Sequence, residues 1–213
     1  RGRWNALRVR TSGRAQPLSP ASEAEFITEH YWGYAARRDG RSVEYQVEQL
    51  REAGADQVIV VLGHRADEVL PHVHRAGAQA IINELYAGGR ASSVRVAAGA
   101  LPEDVAAIVV LNVDQPRPAW VTRRLLEEHS RAGAPVTVPT FEGKRGHPIV
   151  FDGRLAAELR AVSEATQGMR AVLLAHDGEI LEVPFDSPVV VLDMNVPEEY
   201  EMAKATYFEQ VKR

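Results

Sequence analysis

Cysteine is absent from the 213-residue chain. That excludes disulfides and thiolate metal sites, and it permits a reducing compartment. Lysine is almost missing as well: Lys144, Lys204 and Lys212 are the only ones, so the first 143 positions carry Arg alone as their cation. No apolar run approaches the ~20 residues of a bilayer span. The basic opening RGRWNALRVR has no apolar stretch behind it of the kind a secretion signal carries. A cytoplasmic protein with no membrane partner is therefore expected. An excess of positive charge is lacking too, with 25 Lys+Arg against 29 Asp+Glu. This argues against a nucleic-acid partner, which needs a basic face. The GxGxxG turn of a dinucleotide oxidoreductase and the P-loop pattern do not occur.

What remains is ordinary globular composition, 45% hydrophobic and 25% charged. It is organised differently in residues 1–42 and 43–213. The first 14 residues hold five arginines and no acid, and Pro17 and Pro20 then forbid regular helix. SEAEFITEHYWGYAARRDG reads either as a helix capped by Ser22 or as a strand around Tyr31–Tyr34. From Val43 onward, apolar runs alternate with helical periodicity. VIVVLG (58–63), AQAIIN (78–83), AAIVVLNV (106–113), PVTVP (135–139), HPIVF (147–151), EILEVPF and SPVVVLDMN read as strands or extended segments. The segments between them read as helices, among them PAWVTRRLLEEHSRAG with Pro118 near its start and Gly133 after its end. A closing helix follows Asn195. This alternation predicts an α/β fold, a mostly parallel sheet with helices on both faces. Ligands then bind beyond the carboxyl ends of the strands.

The residues at those ends are the candidates. Gly63 and His64 follow one strand, and Asn83 and the Gly88-Gly89 turn another. The turn opens a helix with Ser92 or Ser93 as its cap, and its free N–H groups suit an anion or a base edge. Asp114 ends the most hydrophobic strand, and Asp193 and Asn195 end a further apolar run. A carboxylate in so dry a place is paired, hydrogen-bonded or bound to a cation. Either these oxygens share one Mg²⁺, or Asp114 and Asn195 cap the helices that follow. Lys144 and Arg145, before Gly146-His147-Pro148, form a cationic turn that either contacts phosphate or is an ordinary hairpin.

VLGHRADEV (61–69), AGGRASSVRVAAGAL (87–101), VLNVDQPRP (110–118), VPTFEGKRGHPIVF (138–151), SEATQGMRAVL (163–173) and LDMNVPEEY (192–200) occur in that order. Together they resemble the nucleotidyltransferases of the molybdenum-cofactor cytidylyltransferase type, over roughly residues 40–213. The resemblance implies a Rossmann-like sheet, CTP or GTP as nucleotide donor, Mg²⁺, and a phosphate-bearing acceptor such as a molybdopterin cofactor. By motif, it assigns the metal to Asp114 with Asp193 and Asn195. The nucleotide side falls to Gly63, Ser92 and Ser93. The acceptor side falls to Lys144, Arg145, Gly146, His147 and Pro148, with Asp114, Lys144, Arg145 and His147 as the catalytic set.

One departure stands out. That family opens with a strand and a glycine-rich loop, L-A-A-G-x-S-x-R-M-G-x-x-K, that wraps the triphosphate. LRVRTSGR (7–14) is the nearest match, but it alternates with arginines, unlike a buried strand, and has no lysine. The first strand of the sheet is thus expected to be replaced or missing. Residues 1 to about 48 instead resemble a bacterial family related to acetoacetate decarboxylase, so the chain reads as a join. Two functions follow as expectations. One is nucleotidyl transfer weakened by the missing loop, since losing even one preorganised donor costs roughly 10²–10³ in rate. The other is a non-catalytic nucleotide-binding or protein-interaction domain derived from such an enzyme.

Overall fold

The computed structural model describes residues 5–10, 41–112, 115 and 117–192 of the chain. The described strands form one eight-stranded sheet. In chain order its elements are β1 (Asn5–Arg10), α1 (Arg41–Glu52), β2 (Ala55–Leu62), α2 (Ala66–Arg75), β3 (Gln79–Ile82), α3 (Arg90–Gly99) and β4 (Ala107–Asn112). Then follow α4 (Ala119–Ala132), β5 (Val136–Phe141), β6 (Lys144–Arg145), β7 (Ile149–Asp152), α5 (Ala156–Ala161), α6 (Met169–Ala175) and β8 (Ile180–Pro184). Along the sheet the order is β3-β2-β1-β4-β7-β5-β6, with β8 paired to β5. The pairings make β2, β3, β4, β5 and β8 run one way and β1, β6 and β7 the other.

The alternation of strand side chains divides the core in two. Val58, Val60 and Leu62 of β2, with Ala107 and Val109 of β4, pack beneath α1, α2 and α4. Ile59 and Val61, with Ile108 and Val110, point the other way onto α3, α5 and α6. Burial on both faces is why these strands read as unbroken apolar runs.

The place between β2 and β4 is taken by β1. The arginine alternation of residues 7–14 argues against a buried strand, yet Asn5–Arg10 pairs on both sides, antiparallel to each neighbour. The physical reason is that two core strands with unpaired ladder groups accept any extended backbone, whatever its side chains. The direction matters. Asn5 lies opposite Val61 and Asn112, and Arg10 lies opposite Ala55. The chain therefore leaves β1 at the pole remote from the carboxyl ends of β2 and β4.

Two further expectations are corrected. The apolar run ending at Leu192 is not extended: Pro188–Val191 is a 3₁₀ turn, with Ser187 Oγ accepting from the Val189 N–H. Pro188 has no N–H to give a ladder, and Val189 and Val190 are buried as core plugs. Asp193 and Asn195 thus do not follow a strand. Ser92 and Ser93 do not cap α3 either. The helix starts at Arg90 with Gly89 as its N-cap and no side-chain cap bond, because Ser92 Oγ donates back to Gly89 O (2.8 Å). The aromatic segment Tyr31–Tyr34, Ser22 and the closing helix lie outside the described residues.

His129 on α4 is buried, and its Nδ1 sits 2.8 Å from Thr137 Oγ1 on β5. Its Nε2 has no partner among the described residues. Burial pushes this imidazole below its ordinary pKa; nearby Asp152 opposes that and Arg154 adds to it. Between the lowered folded value and ~6.5, the unfolded chain holds more protons than the folded one. Stability contributed here is therefore complete above pH ~6.5 and is lost as pH falls below it. His129→Gln is expected to flatten the fall in urea midpoint between pH ~7.5 and ~5.5, whose slope from one such group is at most about 1.4 kcal/mol per pH unit.

Candidate nucleotide-transfer cleft

A cleft of about 360 Å³ opens at the carboxyl end of β4, between the start of α3, the β6–β7 loop and the 164–170 segment. Its walls are apolar, with Val110, Val138 and Ile149 from the sheet, Val94 from α3 and Leu173 from α6. Its rim and floor are polar: Arg90, Asn112, Arg145, His147, Glu164 and Arg170. An apolar slot with a few convergent polar groups is the form small-molecule sites take.

The start of α3 supplies one wall. Gly89 is at φ 112°, and a Cβ there would lie 2.4 Å from the Glu164 carboxyl carbon. Glu164 Oε1 accepts from the Ala91 N–H at 2.5 Å. A carboxylate is stable at this positive helix end. The anion expected at the glycine turn is therefore, at Ala91, the chain's own Glu164. Behind the turn, Asn83 Nδ2 donates to Ser92 Oγ (2.8 Å) and Ser93 Oγ (3.0 Å). Both serines thus bind the turn to Asn83, the residue that follows β3. Gly63 is set by packing: an added Cβ would lie 2.5 Å from Tyr86 Cβ. Gly63, Ser92 and Ser93 are not among the cleft-lining residues.

The β5–β6 hairpin and the loop to β7 form the opposite side. Glu142 and Gly143, both at positive φ, make its two-residue turn. Lys144 is exposed and lies outside the cleft lining. Arg145 lines the cleft but is held by Asp177 and Glu182, each at 2.7 Å. Its hydrogen bonds to those two carboxylates raise its pKa further above the usual arginine value. Its charge is matched within the chain, whereas exposed Arg170 has no side-chain bond or ion pair among the described residues. Gly146 allows a close crossing: its N–H donates to Pro139 O (2.8 Å), and a Cβ would lie 2.0 Å from Val190 O. His147 N–H donates to that same oxygen at 2.8 Å. His147 faces the cleft and Pro148 is buried behind it. Asp114, Asp193 and Asn195 lie outside the described residues.

The cleft brings together Arg145, Gly146 and His147 from the candidate set. It adds Arg90, Asn112, Glu164 and Arg170, which sequence reasoning missed. Arg90 follows the glycine turn, and Glu164 and Arg170 both stand in the SEATQGMR motif, so position carried a signal. Buried Arg117, whose Nε donates to His147 O (2.9 Å) and whose Nη2 donates to Val190 O (3.1 Å), was also missed. Its flanking prolines were the only hint.

Residues 35–180 match the family model of the MobA-like NTP transferase domain. The chain belongs to that family. The chain is 25% identical over 169 residues to the bifunctional protein GlmU of Staphylococcus saprophyticus, covering 74% of this chain and 36% of that one. It is 32% identical over 131 residues to GlmU of Geobacter metallireducens, covering 57% and 26%. It thus spans about a third or less of the length of these curated relatives. Among solved structures, Rv0371C of Mycobacterium tuberculosis in complex with manganese is 26% identical, with a TM-score of 0.63 over 77% of this chain and 86% of that one. A nucleotidyl transferase from Methanothermobacter, 21% identical with a TM-score of 0.63 over 79% and 81%, shares the fold. The family match begins at residue 35, inside the stretch resembling the acetoacetate-decarboxylase-like family. The comparisons do not support that second resemblance.

Proposed function

We propose that this MobA-like transferase moves CMP, or GMP, from CTP or GTP to a phosphate-bearing acceptor such as a molybdopterin cofactor. The observation that carries this reading is the cleft itself: an apolar slot at the carboxyl end of β4, rimmed by Arg90, Arg170 and His147. An acceptor phosphate oxygen attacks the α-phosphorus, the new P–O bond forms, and pyrophosphate leaves. The chain's part is positioning and charge compensation. The apolar walls exclude water from a planar ring, and Arg170 and the His147 ring face acceptor oxygens.

A divalent ion belongs to this reading, and it supplies charge neutralisation on the triphosphate. Among the described residues no group of three or more His, Cys, Asp or Glu can hold a metal. Asn112 Oδ1 is taken by Arg90 and Glu164 Oε1 by the Ala91 N–H. The hard oxygen donors that the family resemblance offers for it are Asp114 with Asp193 or Asn195.

Calorimetric titration with CTP, and separately with GTP, is expected to show Mg²⁺-dependent binding that Asp114→Ala abolishes. Binding of neither nucleotide refutes the reading. The second reading, a non-catalytic binding domain, is favoured by two observations: β1 runs antiparallel to both neighbours, and residues 11–40 contain no lysine to neutralise a triphosphate. It expects nucleotide binding with pyrophosphate release at least ~10²–10³-fold below a family member that carries the loop.

A further inference from the structure

The floor of the cleft is a continuous run of polar side chains. Arg90 Nη2 donates to Asn112 Oδ1 at 3.1 Å, and Asn112 Nδ2 donates to Gln115 Oε1 at 3.1 Å. Gln115 Nε2 then lies 3.2 Å from His147 Nδ1. Asn112 and Gln115 are buried, so a mispaired amide there carries the cost of an unmade hydrogen bond.

Arg90 gives one end of this run a fixed polarity. A guanidinium has donors and no acceptor. The Asn112 atom that meets Arg90 must therefore be its oxygen, which leaves its NH₂ for Gln115. Gln115 must answer with its oxygen, so its own NH₂ turns to His147. Nδ1 then has to be a bare acceptor. We infer that Arg90, acting through Asn112 and Gln115, sets the tautomer of His147 and gives the cleft an imidazole whose proton is on Nε2. The backbone beneath is held separately, since Gln46 Nε2 donates to Gln115 O at 2.7 Å. The polarity is thus a property of the side chains.

Arg90, Asn112 and Gln115 are positioning residues on this account. Their effect is to make His147 a hydrogen-bond donor at Nε2, suited to a phosphate or other oxygen, and to deny it the bare Nε2 that a general base needs. The use of that donor rests on the transferase reading above; the tautomer does not.

The test needs no ligand. In the ¹⁵N-labelled full chain at about pH 8.5, two units above the ordinary imidazole value of ~6.5, long-range ¹H–¹⁵N spectra report which ring nitrogen carries each proton. His147→Gln identifies the His147 signals among the 7 histidines. The native chain is expected to show His147 with its proton on Nε2. Asn112→Asp still accepts from Arg90 but cannot donate to Gln115. Gln115 must then turn its NH₂ inward and its oxygen to the ring. The proton is expected to move to Nδ1, in a residue that the substitution does not touch. A merely structural role for Asn112 would not produce that move. Gln115→Glu is expected to give the same switch by direct contact, and Arg90→Lys, still donor-only, to leave the proton on Nε2. A native Nδ1–H form overturns the inference. So does an Nε2–H form that persists in Gln115→Glu or in folded Asn112→Asp; if Asn112→Asp does not fold, the native chain and Gln115→Glu decide. Failure of nucleotide binding leaves this result standing, and failure here leaves the transferase reading standing.

Discussion

Replacing Arg117 by methionine is expected to destabilise the fold by about 3–5 kcal/mol, among the larger losses available to a single substitution. Arg117 is 1% exposed. Its Nε donates to His147 O at 2.9 Å and its Nη2 to Val190 O at 3.1 Å. Those two acceptors belong to the β6–β7 loop and to the Pro188–Val191 turn, segments with no ladder of their own to satisfy them. A hydrogen bond to a charged donor contributes roughly 1.5–3 kcal/mol, and an abandoned buried carbonyl adds its desolvation. Val190 O keeps the His147 N–H. For a chain of this length the expected fall in Tm is about 10 °C, read by thermal melting and checked by the urea midpoint at unchanged slope. Arg117→Lys is the informative control. It restores the charge but not a planar fork able to reach two carbonyls, and is expected to recover less than half the loss. Full recovery by lysine would show that charge, not geometry, is what this position supplies.

How far such a staple can be foreseen depends on the range of the interaction. VIVVLG and AAIVVLNV were legible as central strands because burial on both faces is written locally, in consecutive residues. α4 was legible from its periodicity, its Pro118 start and its Gly133 end. The same local logic misread the run Pro188–Val191, since four apolar residues are equally good as a buried 3₁₀ plug. It misread Ser92 and Ser93 because the hydroxyl partners, Leu85 O, Gly89 O and the Asn83 amide, are set by the turn and not by the helix pattern. Nothing in Asn5–Arg10 announces a strand between β2 and β4, because that pairing is decided by the vacancy it fills. In the cleft, position at strand ends pointed to Arg145, Gly146 and His147. The bond from Ala91 N–H to Glu164 spans 73 residues, as does Arg117 to Val190. Contacts of that range depend on the closed fold, and no periodicity encodes them.

Gly146→Ala is expected to cost about 3 kcal/mol and to disturb the cleft at the same time. The new Cβ would lie 2.0 Å from Val190 O and 2.7 Å from its carbonyl carbon. These are backbone atoms with no rotamer to yield, so one of the two chain segments must move. Whichever moves, the bonds from Gly146 N–H to Pro139 O and from His147 N–H to Val190 O, both 2.8 Å, are stretched together. Overpacking of a tight site costs 1–3 kcal/mol, and each strained hydrogen bond adds about 1. Gly99→Ala is the matching control, because nothing stands within 4 Å of its added Cβ. At the end of α3 it is expected to be neutral or slightly stabilising. The comparison separates the general effect of a methyl group from that of the crossing. His147 is the next residue, so its ring leaves its 3.2 Å contact with Gln115 as the backbone shifts. The proton on Nε2 then loses its enforced position. In Gly146→Ala the His147 ring signals are expected to become a mixture of both tautomers under conditions where the protein is still folded, whereas in Gly99→Ala they stay as in the native chain. A Gly146→Ala protein with native stability would mean that Val190 does not cross the chain at this point, and the cleft wall drawn from that crossing would fall with it.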